Sequence, residues 1–205
     1  ISKKLQKYLV GTKFFSYGSF KNNAYSGKEI LRKKKILFLS SWKILYRFPE
    51  FEKEILKLLE HYCKIKNLKL VISTRFSDTK YISEINKFLN YQNHKFEIRK
   101  NDFSVYESIC SYNLIVFCSQ TAGYEALSRG KKVLSFSPTQ KKYNLWFPKA
   151  RTFMNEVDKK AKGAFWTNKL SKKEIFKKID FISKLNKKSW NKLLKREFKN
   201  YVIYN

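Results

Sequence analysis

The segment Leu114–Leu127, LIVFCSQTAGYEAL, runs from residues suited to a buried strand into a cluster of small hydroxyl, amide and glycine residues. A carboxylate then opens a stretch of helix formers. That order of residue types can hold an anion. A helix starting near Thr121 aims free backbone N–H groups and its positive dipole end at whatever lies beyond the preceding strand. The hydroxyls of Ser119 and Thr121 add donors to phosphate oxygens, and Gly123 removes a side chain where a ligand approaches the backbone. Glu125, about one turn into the helix, is placed to accept hydrogen bonds from a ribose diol. The same residues also satisfy a plainer reading. Ser or Thr followed by Glu is a helix-capping pattern, and an acid in a first turn favours any helix.

The surrounding pattern supplies elements to position this junction. Short β-rich runs, KILFLS (35–40), LKLVIST (68–74), KFEIR (95–99) and KKVLSF (131–136), flank the strand-like LIVFC. Between them lie helical patterns over 49–67, 79–92 and 103–112, the first with Phe51, Ile55, Leu58, Leu59 and Tyr62 on one face and Pro49 in its first turn. Two closing helices are predicted at 171–184, after the capping box Ser171-x-x-Glu174, and at 187–200. Strand and helix in alternation predict an α/β fold, a doubly wound, Rossmann-like parallel sheet with helices on both faces. Ligands in such sheets bind at the carboxyl ends of the strands. Residues 1–34, with Gly11, Gly18 and Gly27, read as a linker or edge, 35–170 as the nucleotide-binding domain, and 171–205 as helices packed on it.

The 205 residues are 43% hydrophobic, enough for a real core, and carry 45 Lys+Arg against 16 Asp+Glu, a formal charge of +29. Such a charge draws phosphate-rich partners: nucleotides, nucleic acid or an anionic membrane surface. It is carried mostly by Lys, spread from Lys3 to Lys199 among Asn, Ile, Phe and Tyr, as a nucleotide-biased genome would produce. The aromatics fall at periodic core positions and do not form a basic aromatic platform, so nucleic acid is not the expected partner. Cys63, Cys110 and Cys118 sit in apolar stretches without a C-x-x-C pairing, which predicts buried reduced thiols and no metal site. No run approaches the ~18 apolar residues of a spanning helix and no signal-peptide core is present, which predicts a cytoplasmic protein. The chain opens on Ile1 and its only Met is Met154, which points to a chain processed or cut from something longer and leaves room for a partner domain outside it.

The run SQTAGYEALSRGKKVLSF, with YNLIVF before it and WFP after, resembles the carboxy-terminal donor-binding domain of GT-B glycosyltransferases. It is most similar to bacterial surface-carbohydrate (lipopolysaccharide and capsule) biosynthesis proteins, and more distantly to capsule Kdo transferases. YGSFKNN (17–23), LFLSSWK (37–43), STRF (73–76) and GAFWTN (163–168) follow the same family in the same order and extend the resemblance over most of the chain.

The resemblance implies a role for each matching residue. Ser119, Gln120, Thr121 and Gly123 match the phosphate loop, Arg75 a basic residue near the donor phosphates, and Glu125 the acid that holds the donor ribose. Tyr106 and Glu107 fall where such domains contact the base. Ser40 and Ser41 line the cleft, and Trp146, Phe147 and Pro148 wall the sugar pocket. The donor is a nucleotide sugar, bound as substrate with no cofactor, and the acceptor a glycan or lipid-linked sugar. In inverting GT-B enzymes the general base comes from an amino-terminal domain facing the donor, so no base is named here; His94, the histidine near a strand end, reads as structural. The implied function is the donor half of a glycosyltransferase working at the inner face of an anionic membrane. A nucleotide-sugar epimerase of the same fold and a basic nucleic-acid-binding α/β protein stand as alternatives.

Overall fold

The computed structural model describes residues 21, 24–27, 32, 34–40, 49–74, 79–89, 94–118, 120–136, 163–167 and 169–198. At their centre is a six-stranded parallel sheet: β1 (Lys35–Leu39), β2 (Lys69–Thr74), β3 (His94–Ile98), β4 (Leu114–Phe117), β5 (Lys132–Phe136) and β6 (Trp166–Thr167). The spatial order is β3-β2-β1-β4-β5-β6, every neighbour pair being parallel. The helices are α1 (Pro49–Ile65), α2 (Thr79–Phe88), α3 (Ser104–Ser111), α4 (Thr121–Ser128), α5 (Lys172–Lys184) and α6 (Lys187–Phe198). Right-handed crossovers put α1 and α2 on one face of such a sheet and α3 and α4 on the other. The packing of α1 against α5, and of α3 against α4, agrees. The doubly wound sheet anticipated from the alternation of elements is therefore the observed fold.

The strands read as continuous apolar runs because both faces are covered. Ile36–Leu39, Leu70–Ile72 and Leu114–Phe117 are all buried. From α1, Ile55, Leu56, Leu59, Tyr62 and Cys63 enter the same core, each Leu or Ile contributing about 1.5–3 kcal/mol by leaving water. Ser171 caps α5, its Oγ accepting from the Glu174 amide at 3.5 Å, while the Glu174 carboxylate accepts from Thr167 Oγ1 at 2.7 Å. Tyr62 donates its hydroxyl to Asp180 Oδ1 at 2.7 Å, tying α1 to α5.

Two details depart from the sequence reading. The helix expected over 79–92 ends at Phe88, and the pair Trp166–Thr167 adds a sixth strand against Ser135 and Phe136. A two-residue strand has too few positions to carry a period. Among the described residues no helix is long and apolar enough to cross a membrane.

Candidate ligand site at the carboxyl edge of the sheet

Strand order reverses between β1 and β4, which pair from Leu37↔Ile115 to Leu39↔Phe117. This is the switch point where open α/β sheets leave a crevice beyond the strand ends. The chain changes chemistry there. Interior positions are aliphatic or aromatic, but Ser40 after β1, Ser73 and Thr74 closing β2, and Ser135 near the end of β5 are hydroxyls, each 2% exposed or less. The Ser40 amide donates to the Ser73 carbonyl at 3.1 Å, so the β1–β2 ladder continues into this polar rim.

Helix α4 begins at the same rim. Gln120 occupies its N-cap in extended conformation, and its side chain makes no capping hydrogen bond. At the start of α3, Asn101 Oδ1 accepts from the Phe103 and Ser104 amides, both at 2.9 Å. The Gln120 Nε2 atom is closed to solvent and has no hydrogen-bond partner. An orphaned buried amide costs about 1–3 kcal/mol, which an acceptor-bearing ligand would recover. Thr121 is exposed at the first helical position, and Glu125 is 9% exposed one turn on. Its carbonyl accepts from Ser128 Oγ at 2.7 Å and from the Arg129 amide at 3.1 Å.

Gly123 plays a different part from the one its sequence context suggests. Its amide donates to the Gln120 carbonyl at 3.0 Å, and a Cβ built on it would lie 2.1 Å from the Phe117 ring. The missing side chain admits β4's Phe117 against α4 and does not open the backbone to a ligand. Tyr106 is corrected likewise. It is 3% exposed, with the Tyr25 ring stacked on it at 5.9 Å and the Arg129 guanidinium 5.7 Å from its centroid, so its ring is enclosed by protein. Glu107, its neighbour, is exposed on α3. Ser41, Arg75, Ser119, Trp146, Phe147 and Pro148 lie outside the described residues.

Two charged side chains at this edge escaped the sequence reading. Arg99, just beyond β3, donates Nε to Ser73 Oγ at 3.3 Å. Glu52 on α1 is 2% exposed and lies close enough to act on Cys118. Neither carried a motif; the signal would have been a charge directly after a strand and one inside an apolar helix face. The Cys118 thiol is pushed well above its ordinary value by burial and, secondarily, by Glu52. Burial raises Cys63 to about 12. Cys110 is buried as well. His94 lies at the opposite edge, its Nε2 2.7 Å from Asn86 Oδ1 and its ring edge-on to Phe96. Among the described residues no group of His, Cys, Asp and Glu is arranged to hold a metal ion.

The profile of a family described as "putative O-antigen biosynthesis protein" matches residues 1–205. The chain belongs to that family. No curated protein matches its sequence. Among solved structures, the UDP-GlcNAc 2-epimerase of Methanocaldococcus jannaschii, in complex with UDP-GlcNAc and UDP, is similar with a TM-score of 0.54 at 14% identity, over 89% of this chain and 51% of that one. AviGT4, a glycosyltransferase involved in avilamycin A biosynthesis, is similar with a TM-score of 0.41 at 12% identity, over 83% of this chain and 47% of its own. At these identities the likeness is one of fold. This member of the O-antigen family spans about half the length of the solved proteins it matches.

Proposed function

We propose that this chain is the donor-binding half of a nucleotide-sugar-dependent glycosyltransferase acting in O-antigen or related surface-polysaccharide assembly. The observation that carries the reading is the convergence, at the switch point, of the start of α4 and the partnerless Gln120 amide with the hydroxyl ends of β1 and β2. Ser119, Gln120 and Thr121, with Arg75 from the segment after β2, hold the donor phosphates; Glu125 accepts from the ribose; Ser40 and Ser41 border the cleft. Trp146 and Phe147 wall the sugar.

In the transfer, an acceptor hydroxyl oxygen bonds to the anomeric carbon as that carbon's bond to the nucleotide oxygen breaks. The electron pair leaves with the phosphate, and the donors around α4 offset the growing charge. The acceptor proton passes to a base on the amino-terminal domain that a two-domain enzyme of this kind brings. The acceptor is a glycan or lipid-linked sugar, and the net charge of +29 favours work at an anionic inner leaflet. Similarity in fold to a sugar-nucleotide epimerase supports a second reading with the same donor site and a different reaction.

Calorimetric titration with CMP-, UDP- and GDP-linked sugars tests the donor site. Wild type is expected to bind one of them, and Glu125→Ala to bind it about 10-fold more weakly, through loss of charge-assisted hydrogen bonds. Equal affinities, or no binding by wild type, contradict the reading. Nucleotide release that depends on added acceptor supports transfer; an isomerised sugar nucleotide formed without acceptor supports the epimerase.

A further inference from the structure

We infer that Arg99 is an anion-binding residue of the carboxyl-edge site, placed to take the second phosphate of a nucleoside diphosphate whose first lies at the start of α4. The inference rests on the donor-site reading above and narrows its ligand from any phosphate to a linked pair.

Arg99 follows β3 directly, and its amide still donates to the Thr74 carbonyl of β2 at 3.3 Å. The side chain does not continue outward to water. It is half-buried, turned across β2 with Nε on Ser73 Oγ, and its Nη2 is closed to solvent. The direction matters, because Phe117, Leu39, Ser73 and Glu97 are register partners across β4, β1, β2 and β3 and so share one face of the sheet. Phe117 on that line packs on Gly123 and edge-on to Tyr124 of α4. Arg99, two residues beyond Glu97, therefore emerges on the same face as α4. Glu97 is already engaged, accepting from Ser108 Oγ at 2.9 Å, from the Tyr112 hydroxyl at 2.6 Å and from Arg32.

Adjacent strands are about 4.8 Å apart, so the ends of β2 and β4 stand about 10 Å from one another with β1 between. A guanidinium held beside Ser73 on β2 faces the start of α4 across that distance, which two linked anionic groups span and a single phosphate at α4 does not. Anchoring through Nε fixes the plane of the fork, and a planar fork suits paired phosphate oxygens better than an ammonium does.

The test is calorimetry with the mono- and diphosphates of uridine, cytidine and guanosine on wild type, Arg99→Gln, Arg99→Lys and Ser73→Ala, each checked by thermal melting. Wild type is expected to prefer the diphosphate of one base. Arg99→Gln should lose about 10-fold or more for that diphosphate and under about 3-fold for its monophosphate, with Arg99→Lys between. Should Arg99→Gln fail to fold, Ser73→Ala, which frees the fork and leaves the charge, reads the same preference and should lower it. A folded Arg99→Gln that keeps the wild-type preference, or that loses mono- and diphosphate equally, overturns the role of Arg99 and leaves the donor site standing. Wild type that binds none of the nucleotides overturns both.

Discussion

The two edges of the sheet handle their helix ends in opposite ways. At the amino edge, the negative ends of helices are met from within the chain. Lys131, buried before β5, donates Nζ to the Cys110 carbonyl in the last turn of α3 at 3.0 Å, and Lys132 donates to the Ser183 carbonyl in the last turn of α5 at 2.9 Å. The Arg32 amide adds a bond to Ser111 O at 2.7 Å. Cations near helix carboxyl ends are stabilising, and here they also satisfy the terminal carbonyls. At the carboxyl edge the Gln120 side chain makes no capping bond at the start of α4, its Nε2 has no partner, and hydroxyls and Arg99 border the gap. One edge is closed by its own residues, while the other leaves the buried Gln120 amide without a partner. The difference says where binding energy is held in reserve: at the edge whose polar groups gain by meeting an acceptor-rich ligand.

Substitutions that break this contrast should separate stability from binding. The largest effect is expected from Gly123→Val, because any Cβ at that position meets the fully buried Phe117 ring at 2.1 Å. Overpacking of this kind costs about 1–3 kcal/mol or more. Urea denaturation should show it, and Phe117→Leu in the same chain should recover part of the loss. Lys131→Met at the amino edge should cost about 1–3 kcal/mol by stranding the Cys110 carbonyl, with nucleotide affinity unchanged; a matching loss of affinity would erase the distinction between the edges. The smallest effect lies away from both. Burial works against ionisation of Asp180, but its hydrogen bonds from Tyr62 and Lys66 prevail and hold it below 3.8. A carboxylate so depressed adds stability that is present above its unfolded value and lost as pH falls through and below 3.8. Asp180→Asn should therefore flatten only the acid end of the stability–pH curve.

Much of this was readable in the sequence because parallel strands covered on both faces are apolar throughout and helices show their buried stripe. KILFLS, LKLVIST and LIVFC fell at strands for that reason, and the S-x-x-E box at the start of α5. The position of Gln120 and Thr121 at a helix start followed from the change of residue type at Cys118. The role of individual side chains did not follow. Gly123 and Tyr106 look like ligand contacts in sequence because small and aromatic residues near a phosphate loop commonly are. Only the neighbours, Phe117 for one and Tyr25 with Arg129 for the other, reveal them as packing positions. Arg99 was hidden for the converse reason: a charge ending a strand pattern reads as a solvated terminus until the register turns it back over Ser73.

The central claim, that the carboxyl edge is the ligand site, is tested most directly by amide hydrogen exchange with and without a saturating UDP-, CMP- or GDP-linked sugar. The account predicts slowed exchange at 118–124, around Ser40 and Ser73 and at 99–101, with the lysine-bearing face of α6 unchanged. Protection centred on Lys187–Lys195, with none at the start of α4, would contradict it.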